Sequence, residues 1–495
     1  PIFYTIYLLI NDMKKYICYR YKFTSMKKTV TTTLLALVAL TSSAQNIKNK
    51  IEQSFQTFVD QPALKNGIAS LTVADTDNGN VIFERNSSIG LPTASTLKVI
   101  TAITALDLIG PNYTYKTDLY YTGTIDSLGI LHGDIVIKGS GDPTLGSTRF
   151  DNTKEEQILT KWKNAILSAG IDSIAGRIIG DDRFFNGNDV PGGWIWTDMG
   201  NYYGAGIAGL NWRENKTGIV FQPSTPNKEA AISHTTSDIS YLQLINQVKT
   251  GNKGTGDNVY GYSAPYSEKI ILKGTYGLDL HKTIEISIPD PAYDLAFQLQ
   301  HFLAKDSIFI ENGITTGQRL VDSGATIAAK TQNLDTHISP KMEEIVYWFN
   351  QKSINLYGEA LLKMIGFISG GKTSTPEGAN YIQKYWQQKL QIPTNELDLI
   401  DGSGLSPQNN VTTAAMNKIM GYAVKRNWFP IFQKSLPLYN QMTMKSGTIG
   451  GTLGYTGYHQ AKDGKKYTFT ILVYNYKGSA ANMRQRMFQL LDVLK

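Results

Sequence analysis

The sequence predicts an α/β protein whose antiparallel sheet, flanked by helices, is assembled from both ends of the chain and interrupted by a large β-rich insertion. Three observations favour this class. Strand-like and helix-like stretches occur near the start and again near the end of the chain. Between them, from about 111 to 335, short alternating stretches are broken by turn residues. From about 340 to 425 the pattern is helical again.

The first elements follow in order after the N-terminal segment. A helix is expected from Asn46 to about Val59. The stretch "IASLTVADTDNGNVIFERN" then predicts two strands joined by a turn at Asp77-Asn78-Gly79. The stretch "LPTASTLKVITAITALDLIG", residues 91–110, reads as one helix whose apolar side chains indicate burial.

The far end of the chain repeats this mixture. The stretches "NQMTMKSG", "GGTLGYTGYHQ" and "KKYTFTILVYNY" predict three consecutive strands, with a turn at Lys462-Asp463-Gly464. An amphipathic helix is expected from about Ala480 to Leu494. Residues 45–110 and 336–495 are therefore predicted to form one α/β domain.

The segment 111–335 is predicted to be an inserted β-rich domain or domains. Its strand-like stretches include "GDIVIKGSGDPTL" (133–145), "GRIIGDDRFF" (176–185) and "KTIEISIPD" (282–290). One helix, "KEEQILTKWKNAILSAG", interrupts them. No internal repeat is present.

The N-terminal 44 residues read as targeting sequence. From Met26 the chain has two lysines, an apolar run of about a dozen residues, and then Ser42 and Ala44 at the −3 and −1 places of a signal-peptidase site. We expect a signal peptide at 26–44, export to the periplasm or cell envelope, and at most peripheral membrane contact. Residues 1–25 are interpreted as an upstream extension from a mis-called start, the alternative being a short membrane-associated lead.

Removing residues 1–44 changes what the composition indicates. The sole cysteine, Cys18, is lost, which excludes a disulfide, a catalytic thiol or a cysteine metal site. The formal net charge falls from +7 to +2, because 42 Lys and Arg then face 40 Asp and Glu. This balance gives no support for a nucleic-acid partner. The six histidines show no pair at ligand spacing, so neither a metal site nor a cofactor is predicted.

Lys98 is the only charged residue between Arg85 and Asp107 and lies three residues after Ser95. On a helix this spacing puts both side chains on one face. A serine hydroxyl becomes a nucleophile only when a base removes its proton, and a lysine is such a base only when burial keeps it neutral. Alone, Ser-x-x-Lys is a weak signal, because it also occurs at Ser25 and Ser369.

Two further motifs support this interpretation. Ser353 and Asn355 form a Ser-x-Asn turn just ahead of a predicted helix. Lys445-Ser446-Gly447 lies on a predicted strand, where Lys445 and Gly447 face the same side. Each motif alone is more simply read as a turn or as an exposed edge-strand lysine, whereas the three in this order form a strong combination.

The trio resembles that of the penicillin-binding proteins and serine β-lactamases. The gap of 258 residues from Ser95 to Ser353 looks like the D-alanyl-D-alanine carboxypeptidase/endopeptidase family of low-molecular-mass, class C type penicillin-binding proteins, which carry inserted domains after the nucleophile helix. The stretches "YYGAGIAGLNWREN" and "DGSGLSPQNNVT" agree with that family. The resemblance implies a penicillin-binding (serine β-lactamase-like) transpeptidase domain.

The resemblance also implies roles for these residues. Ser95 would be acylated and Lys98 would be its base. Ser353 would relay a proton to the leaving amine, and Asn355 would bind the peptide backbone. Lys445 would keep Lys98 neutral and, with Ser446, bind the terminal carboxylate. The backbone N–H groups of Ser95 and Thr448 would stabilise the oxyanion, and Gly447 would leave room for the substrate backbone.

Side-chain recognition is less well matched. The family stretch commonly reads Asp-Gly-Ser-Gly-Leu-Ser-Arg, and Pro407 replaces that arginine here. Asp181 matches a family aspartate that meets the amino end of a diaminopimelate side chain, although an aspartate after a strand is usually a turn former.

These observations predict an exported serine-type D-Ala-D-Ala carboxypeptidase or endopeptidase that acts on peptidoglycan peptides and is inhibited by β-lactams. The alternatives are a serine β-lactamase and a non-catalytic cell-wall-binding protein. The stretch "GFISGGKTS" (366–374) matches a phosphate-binding loop in letters, but it follows a helix rather than a strand, so nucleotide binding is not predicted.

Overall fold

The computed structural model describes residue 15, residues 46–185 and residues 190–495. The predicted upstream extension (1–25, except Lys15) and the predicted signal peptide (26–44) lie outside the described residues. Among the helices of the described ranges, none combines the length and the apolar character needed to cross a bilayer.

The helices in chain order are α1 (46–59), α2 (Lys98–Leu108), α3 (Glu155–Ser168), α4 (Trp196–Met199), α5 (Pro291–Ala304), α6 (Gly317–Asp322), α7 (Met342–Lys352), α8 (Asn355–Gly370), α9 (Thr375–Leu390), α10 (Thr413–Val424), α11 (Phe429–Ser435) and α12 (Ala480–Leu491).

The strands in chain order are β1 (Ile68–Asp75), β2 (Val81–Arg85), β3 (Leu91–Pro92), β4 (Lys116–Thr122), β5 (Thr124–Ile125), β6 (Ile130–His132), β7 (Ile135–Lys138), β8 (Ser173–Ile174), β9 (Ile178–Asp181), β10 (Lys216–Gln222), β11 (Ala231–Thr235), β12 (Gln243–Gly251), β13 (Asp257–Tyr262), β14 (Lys269–Gly277), β15 (Ile284–Ser287), β16 (Ile314–Thr316), β17 (Lys330–Ile338), β18 (Leu397–Asp398), β19 (Asn410–Val411), β20 (Leu438–Tyr439), β21 (Met442–Ile449), β22 (Thr452–Gln460) and β23 (Lys466–Tyr474).

The central sheet has six antiparallel strands in the order β2-β1-β23-β22-β21-β20. It joins strands near the start of the described chain to strands near its end, with Val73 opposite Phe469 in the β1–β23 register. The predicted α/β class with an antiparallel sheet is therefore confirmed. The limits of the two predicted domains, 45–110 with 336–495 and 111–335, stay a prediction.

Helices cover both faces of the central sheet. On one face, α1 and α12 bury residues such as Phe55 and Met487 against the strands. On the other face a larger core is built from α2 and α7 to α11. Helix α2 is enclosed within it, with Val99, Ile103 and Leu106 buried, because apolar side chains surround the helix on every side. Burying each such side chain contributes about 1.5–3 kcal/mol.

The intervening segment forms several smaller sheets. The strands β16-β9-β7-β4-β17 make a five-stranded sheet, which α3 and α5 cover with a core that includes Trp162 and Leu299. Two three-stranded sheets, β11-β10-β15 and β12-β14-β13, share a further core. This β-rich content agrees with the alternating stretches in the sequence.

Two sequence-based expectations need correction. Residues 91–110 are not one helix: Leu91–Pro92 pairs with β19, Ala94–Leu97 is a 3₁₀ turn, and α2 begins only at Lys98. The long-range strand pairing overrides the local helical pattern here, and Ala94 has a φ of 45°. The insertion also contains α5, whose N-terminus is capped by the Asp290 side chain accepting from the Tyr293 N–H.

Candidate active site

Ser95 lies in the 3₁₀ turn that precedes α2, directly beside β21. The turn is held by the Thr96 hydroxyl, which donates to the Thr93 carbonyl at 2.6 Å. A Cβ at Gly447 of β21 would lie only 2.7–2.9 Å from backbone atoms of this turn, including the Ser95 N–H nitrogen. Only glycine therefore lets the strand approach the turn this closely.

The Lys98 ammonium or amine is fully enclosed and has three hydrogen-bond partners. Its Nζ lies 2.6 Å from Asn355 Oδ1, 2.6 Å from the Ser403 carbonyl oxygen and 3.0 Å from Ser95 Oγ. The two shorter contacts are to oxygens that only accept, whereas a hydroxyl both donates and accepts. A neutral amine thus uses both of its hydrogens on the carbonyl oxygens and turns its lone pair to Ser95.

Ser353 and Asn355 reach this group of side chains from the junction between α7 and α8. Ser353 ends α7 in the left-handed region, with a φ of 56°, which turns its side chain toward the cleft. Asn355 begins α8, and its Nδ2 donates to the Tyr203 carbonyl at 2.8 Å. The amide of Asn355 therefore links Lys98 to a loop of the intervening segment.

Lys445 of β21 completes the group. Its Nζ donates to Ser353 Oγ at 3.0 Å and to the Ser446 carbonyl at 2.9 Å. The structure thus brings together the three predicted motifs around Ser95, Lys98, Ser353 and Lys445.

Both lysines are placed where a positive charge is costly. Burial lowers the pKa of Lys98 from 10.5 to about 7, although the carboxylates of Asp401 and Glu359 oppose this shift. Burial, followed by the positive charge of Lys98, lowers the pKa of Lys445 well below its usual value. Lys98 is therefore partly neutral at physiological pH.

Asp401 stabilises the loop whose backbone contacts Lys98. Its carboxylate accepts from the backbone N–H groups of Ser403, Gly404 and Ser406 at 2.6–3.2 Å. The Trp194 indole donates to it at 2.9 Å. This loop presents the Ser403 carbonyl to Lys98, and Trp194 ties it to the intervening segment.

Glu359 is a further buried carboxyl group beneath the site. Its Oε2 accepts from the Gly402 N–H at 3.0 Å. Burial, together with the charge of Asp401, raises its pKa to about 8. Glu359 was not singled out from the sequence. It lies in the largely apolar stretch "NLYGEALLKMIG" (355–366), and a charged residue in an apolar stretch is the signal that singled out Lys98.

The remaining predicted residues lie at the rim or elsewhere. On β21, Ser446 is half-buried and Thr448 is exposed. Pro407 is exposed. Asp181, at the end of β9, is held by its neighbour Arg183, whose Nε and Nη2 donate to the two carboxylate oxygens at 2.7 and 2.9 Å. The contacts of Asp181 do not join it to the group around Ser95.

The described residues contain no group of three or more His, Cys, Asp and Glu side chains that could hold a metal ion. Three buried charged side chains of the site, those of Lys98, Lys445 and Asp401, instead hydrogen-bond to backbone groups.

The chain is similar to known proteins in both sequence and structure. The family model described as "D-Ala-D-Ala carboxypeptidase 3 (S13) family" matches residues 51–494. The D-alanyl-D-alanine carboxypeptidase of Actinomadura sp. (strain R39) is 23% identical over 476 residues, covering 91% of this chain and 85% of the relative. The D-alanyl-D-alanine carboxypeptidase DacB of Haemophilus influenzae is 22% identical over 421 residues, covering 81% and 84%.

A solved structure has the same fold. The crystal structure of penicillin binding protein 4 (dacB) from Haemophilus influenzae superposes with a TM-score of 0.72 at 20% sequence identity. The match covers 90% of this chain and 97% of that chain. A second structure of that protein, complexed with a β-lactam, superposes with a TM-score of 0.66 at 19% identity, covering 90% and 97%.

Proposed function

The chain belongs to the D-Ala-D-Ala carboxypeptidase 3 (S13) family and is a hydrolase, and from this premise we propose that Ser95 is its nucleophile and Lys98 the base that activates it. The observation that carries the proposal is the 3.0 Å separation of Ser95 Oγ and Lys98 Nζ, with both hydrogens of a neutral amine committed to other oxygens. The neutral amine accepts the hydroxyl proton as Oγ attacks the peptide carbonyl.

The attack converts the carbonyl into a tetrahedral intermediate with a negatively charged oxygen. We propose that the backbone N–H groups of Ser95 and Thr448 bind this oxygen, because Gly447 brings β21 against the Ser95 turn. Such donors stabilise charge only as it develops, and losing one typically costs about 100- to 1,000-fold in rate.

The proton then has to reach the departing amine. Ser353 Oγ lies 3.0 Å from Lys445 Nζ and opens on the same cleft, which supports a role as the relay. Protonation lets the C–N bond break and leaves the acyl group on Ser95. Water then attacks the ester, with Lys98 again as base, and restores the free serine.

The substrate we propose is a peptidoglycan peptide that ends in D-Ala-D-Ala. Asn355 would bind its backbone, and Lys445 with Ser446 and Thr448 would receive the terminal carboxylate, since an amine donor and two hydroxyl donors lie within four residues on β21. Cleavage of the terminal residue makes the enzyme a carboxypeptidase, and cleavage of a cross-link makes it an endopeptidase.

Recognition of the substrate side chain is proposed to differ from the family pattern. Pro407, which is exposed, offers no cation for a diaminopimelate carboxylate. The carboxylate of Asp181 is already paired with Arg183, so this aspartate would bind an amino group only after that ion pair opens.

Location and inhibition complete the proposal. We propose that residues 26–44 direct the chain to the periplasm or cell envelope, where residues 1–44 are absent from the mature enzyme. β-Lactams would acylate Ser95, in line with the relative whose structure was solved with one. The acyl-serine chemistry proposed here needs no metal ion or cofactor.

A fluorescent penicillin and a pentapeptide ending in D-Ala-D-Ala test these roles. We expect a stable fluorescent band and release of D-Ala from the wild type, and neither from Ser95→Ala. The matched control is Ser369→Ala, which alters the other Ser-x-x-Lys of the described chain and should behave as wild type. Rapid loss of the label would instead indicate a β-lactamase, and absence of labelling in the wild type would contradict the proposal.

A further inference from the structure

Exposed aromatic side chains cluster in the intervening segment close to the candidate active site. Tyr202 is 50% exposed, Tyr260 is 43% exposed and Trp196 is 54% exposed. Tyr202 and Tyr260 line one cavity of about 290 Å³. The ring of Trp196 lies 6.2 Å from that of Tyr262, which shares a face of β13 with Tyr260. Single exposed apolar residues are ordinary, whereas a row of them marks a binding surface.

The charged groups around this cavity are paired with one another. Lys282 Nζ lies 2.8 Å from Asp257 Oδ2, and Lys216 Nζ lies 2.9 Å from Glu285 Oε1. The cavity therefore offers hydrogen-bond donors and acceptors with little net charge. Such a lining suits a neutral ligand that carries hydroxyl or amide groups, and it does not favour a phosphate or a nucleic acid.

A residue that lines the cavity is hydrogen-bonded to the catalytic group. Tyr203 lines it, and the Tyr203 carbonyl accepts from Asn355, which in turn binds Lys98. Three hydrogen bonds thus link the Tyr203 carbonyl oxygen to the Ser95 hydroxyl oxygen. At normal bond lengths these two atoms lie no more than about 12 Å apart. Four extended peptide residues reach up to about 14 Å.

We propose that Trp196, Tyr202 and Tyr260 bind sugar rings of the glycan strand to which the substrate peptide is attached. The proposal rests on the function proposed above and extends it from the peptide to the polymer. The C–H faces of a sugar ring stack on exposed aromatic rings, while its hydroxyl and N-acetyl groups hydrogen-bond to polar groups such as those of Asp257 and Lys282. The reach of a short stem peptide spans the separation between the Tyr203 carbonyl, beside this surface, and the Ser95 hydroxyl.

Direct binding tests the proposal without catalysis. The probe is a peptide-free oligosaccharide of alternating N-acetylglucosamine and N-acetylmuramic acid, in which each lactyl carboxyl is capped as an amide, as the stem peptide caps it in the substrate. It is titrated into the full mature chain by calorimetry. We expect Tyr260→Ala to raise Kd by up to about tenfold, since it removes the aromatic ring on which a sugar ring would stack. Tyr260→Phe should bind as the wild type, because it keeps the ring.

Phe309→Ala serves as the matched control. Phe309 is also an exposed aromatic residue of the intervening segment, 67% exposed, but it does not line the cavity. Its substitution should leave Kd unchanged. Failure of the wild type to bind the oligosaccharide, or equal binding by Tyr260→Ala, overturns the proposal. Equal thermal unfolding of the variants shows that the fold is retained.

Kinetics separate this inference from the proposed function. For Tyr260→Ala we expect kcat/KM on glycan-attached pentapeptide to fall about tenfold relative to kcat/KM on free pentapeptide, through KM. A wild type that cleaves neither substrate contradicts the proposed function. A wild type that cleaves both, with an unchanged ratio in Tyr260→Ala, contradicts only the glycan site.

Discussion

The Ser95 hydroxyl oxygen and the Lys98 amine nitrogen lie 3.0 Å apart across the junction between a 3₁₀ turn and α2. In a 3₁₀ turn, residues three apart lie directly above one another, which aligns the two side chains. Because α2 is buried, the Lys98 side chain is enclosed by protein and does not reach solvent. Its protonation state therefore depends on the groups around the site.

The first prediction concerns the pH dependence of acylation. Only neutral Lys98 accepts a proton, and its pKa is lowered to about 7. The acylation rate should therefore be low at pH 5, rise through a midpoint near pH 7 and level off above it. Stopped-flow measurement with a chromogenic β-lactam gives this profile. A rate that is constant or falls between pH 5 and 9 would exclude Lys98 as the base.

Replacement of Glu359 by Gln should move that midpoint to lower pH. The Glu359 carboxylate raises the pKa of Lys98, so removing its charge favours the neutral amine. Gln keeps an oxygen for the Gly402 N–H, and at low pH it mimics the protonated acid. Because the pKa of Glu359 is raised to about 8, its carboxylate forms mainly above pH 7. The acylation rate of the variant relative to the wild type should therefore be highest between pH 7 and 8 and close to one at pH 6.

The control for this variant is Asp107→Asn. Asp107 is also a buried carboxylate, near the other end of α2, where Tyr422 and Trp428 donate to it. Its replacement should leave the midpoint where it is in the wild type. The same midpoint in Glu359→Gln and the wild type would refute the influence of Glu359 on Lys98.

Gly447→Ala should abolish most activity while the protein stays folded. The added methyl would lie 2.7–2.9 Å from backbone atoms of the Ser95 turn, which cannot yield as a flexible side chain can. We expect the strand to shift and the acylation rate to fall by at least about 100-fold, as for a lost oxyanion donor.

Gly450→Ala provides the comparison for this change. A Cβ at Gly450 has no atom within 4 Å, and the backbone there is not in the left-handed region. Its acylation rate should equal that of the wild type. Wild-type acylation by Gly447→Ala would show that β21 does not contribute to the oxyanion site.

Trp194→Phe tests whether the intervening segment supports catalysis. The variant loses the indole donor to Asp401 at 2.9 Å, and Asp401 shapes the loop that holds Lys98. Loss of a hydrogen bond to a charged group costs about 1.5–3 kcal/mol. We expect a lower melting temperature and an acylation rate that falls about tenfold.

Trp428→Phe is the matched variant. The Trp428 indole donates to Asp107 at 3.2 Å, so it loses a similar bond to a different buried aspartate. It should destabilise the protein while acylation proceeds at the wild-type rate. Equal losses of acylation in the two variants would mean that Trp194 acts through stability alone.

Local sequence identified the residues whose chemistry depends on short spacing. Ser95 with Lys98, and Ser353 with Asn355, each lie within four residues, so one helix turn or one loop is enough to place them. Lys445 could be found because a strand alternates its faces. Their convergence was expected only from the family resemblance, since spacing along the chain does not reveal contacts over 257 residues such as Lys98–Asn355.

The features that could not be predicted from the sequence depend on tertiary contacts. Leu91–Pro92 became a strand because it pairs with Asn410 and Val411, more than 300 positions away along the chain. Glu359, Trp194 and the Tyr203 carbonyl acquire their places only when the intervening segment packs against α8 and the Asp401 loop. Such contacts have no local periodicity from which they could be predicted.

The pairing of β1 with β23 has a consequence for the order of events during synthesis. A chain leaving the ribosome presents Ser95 long before it presents Lys445, and it holds both unpaired until the last strands have emerged. Because β21 carries Lys445 and lies beside the Ser95 turn, the proposed nucleophile lacks these neighbours until translation of this sheet is finished. A hydrolase that acts on the cell wall thereby stays inactive while it is being synthesised.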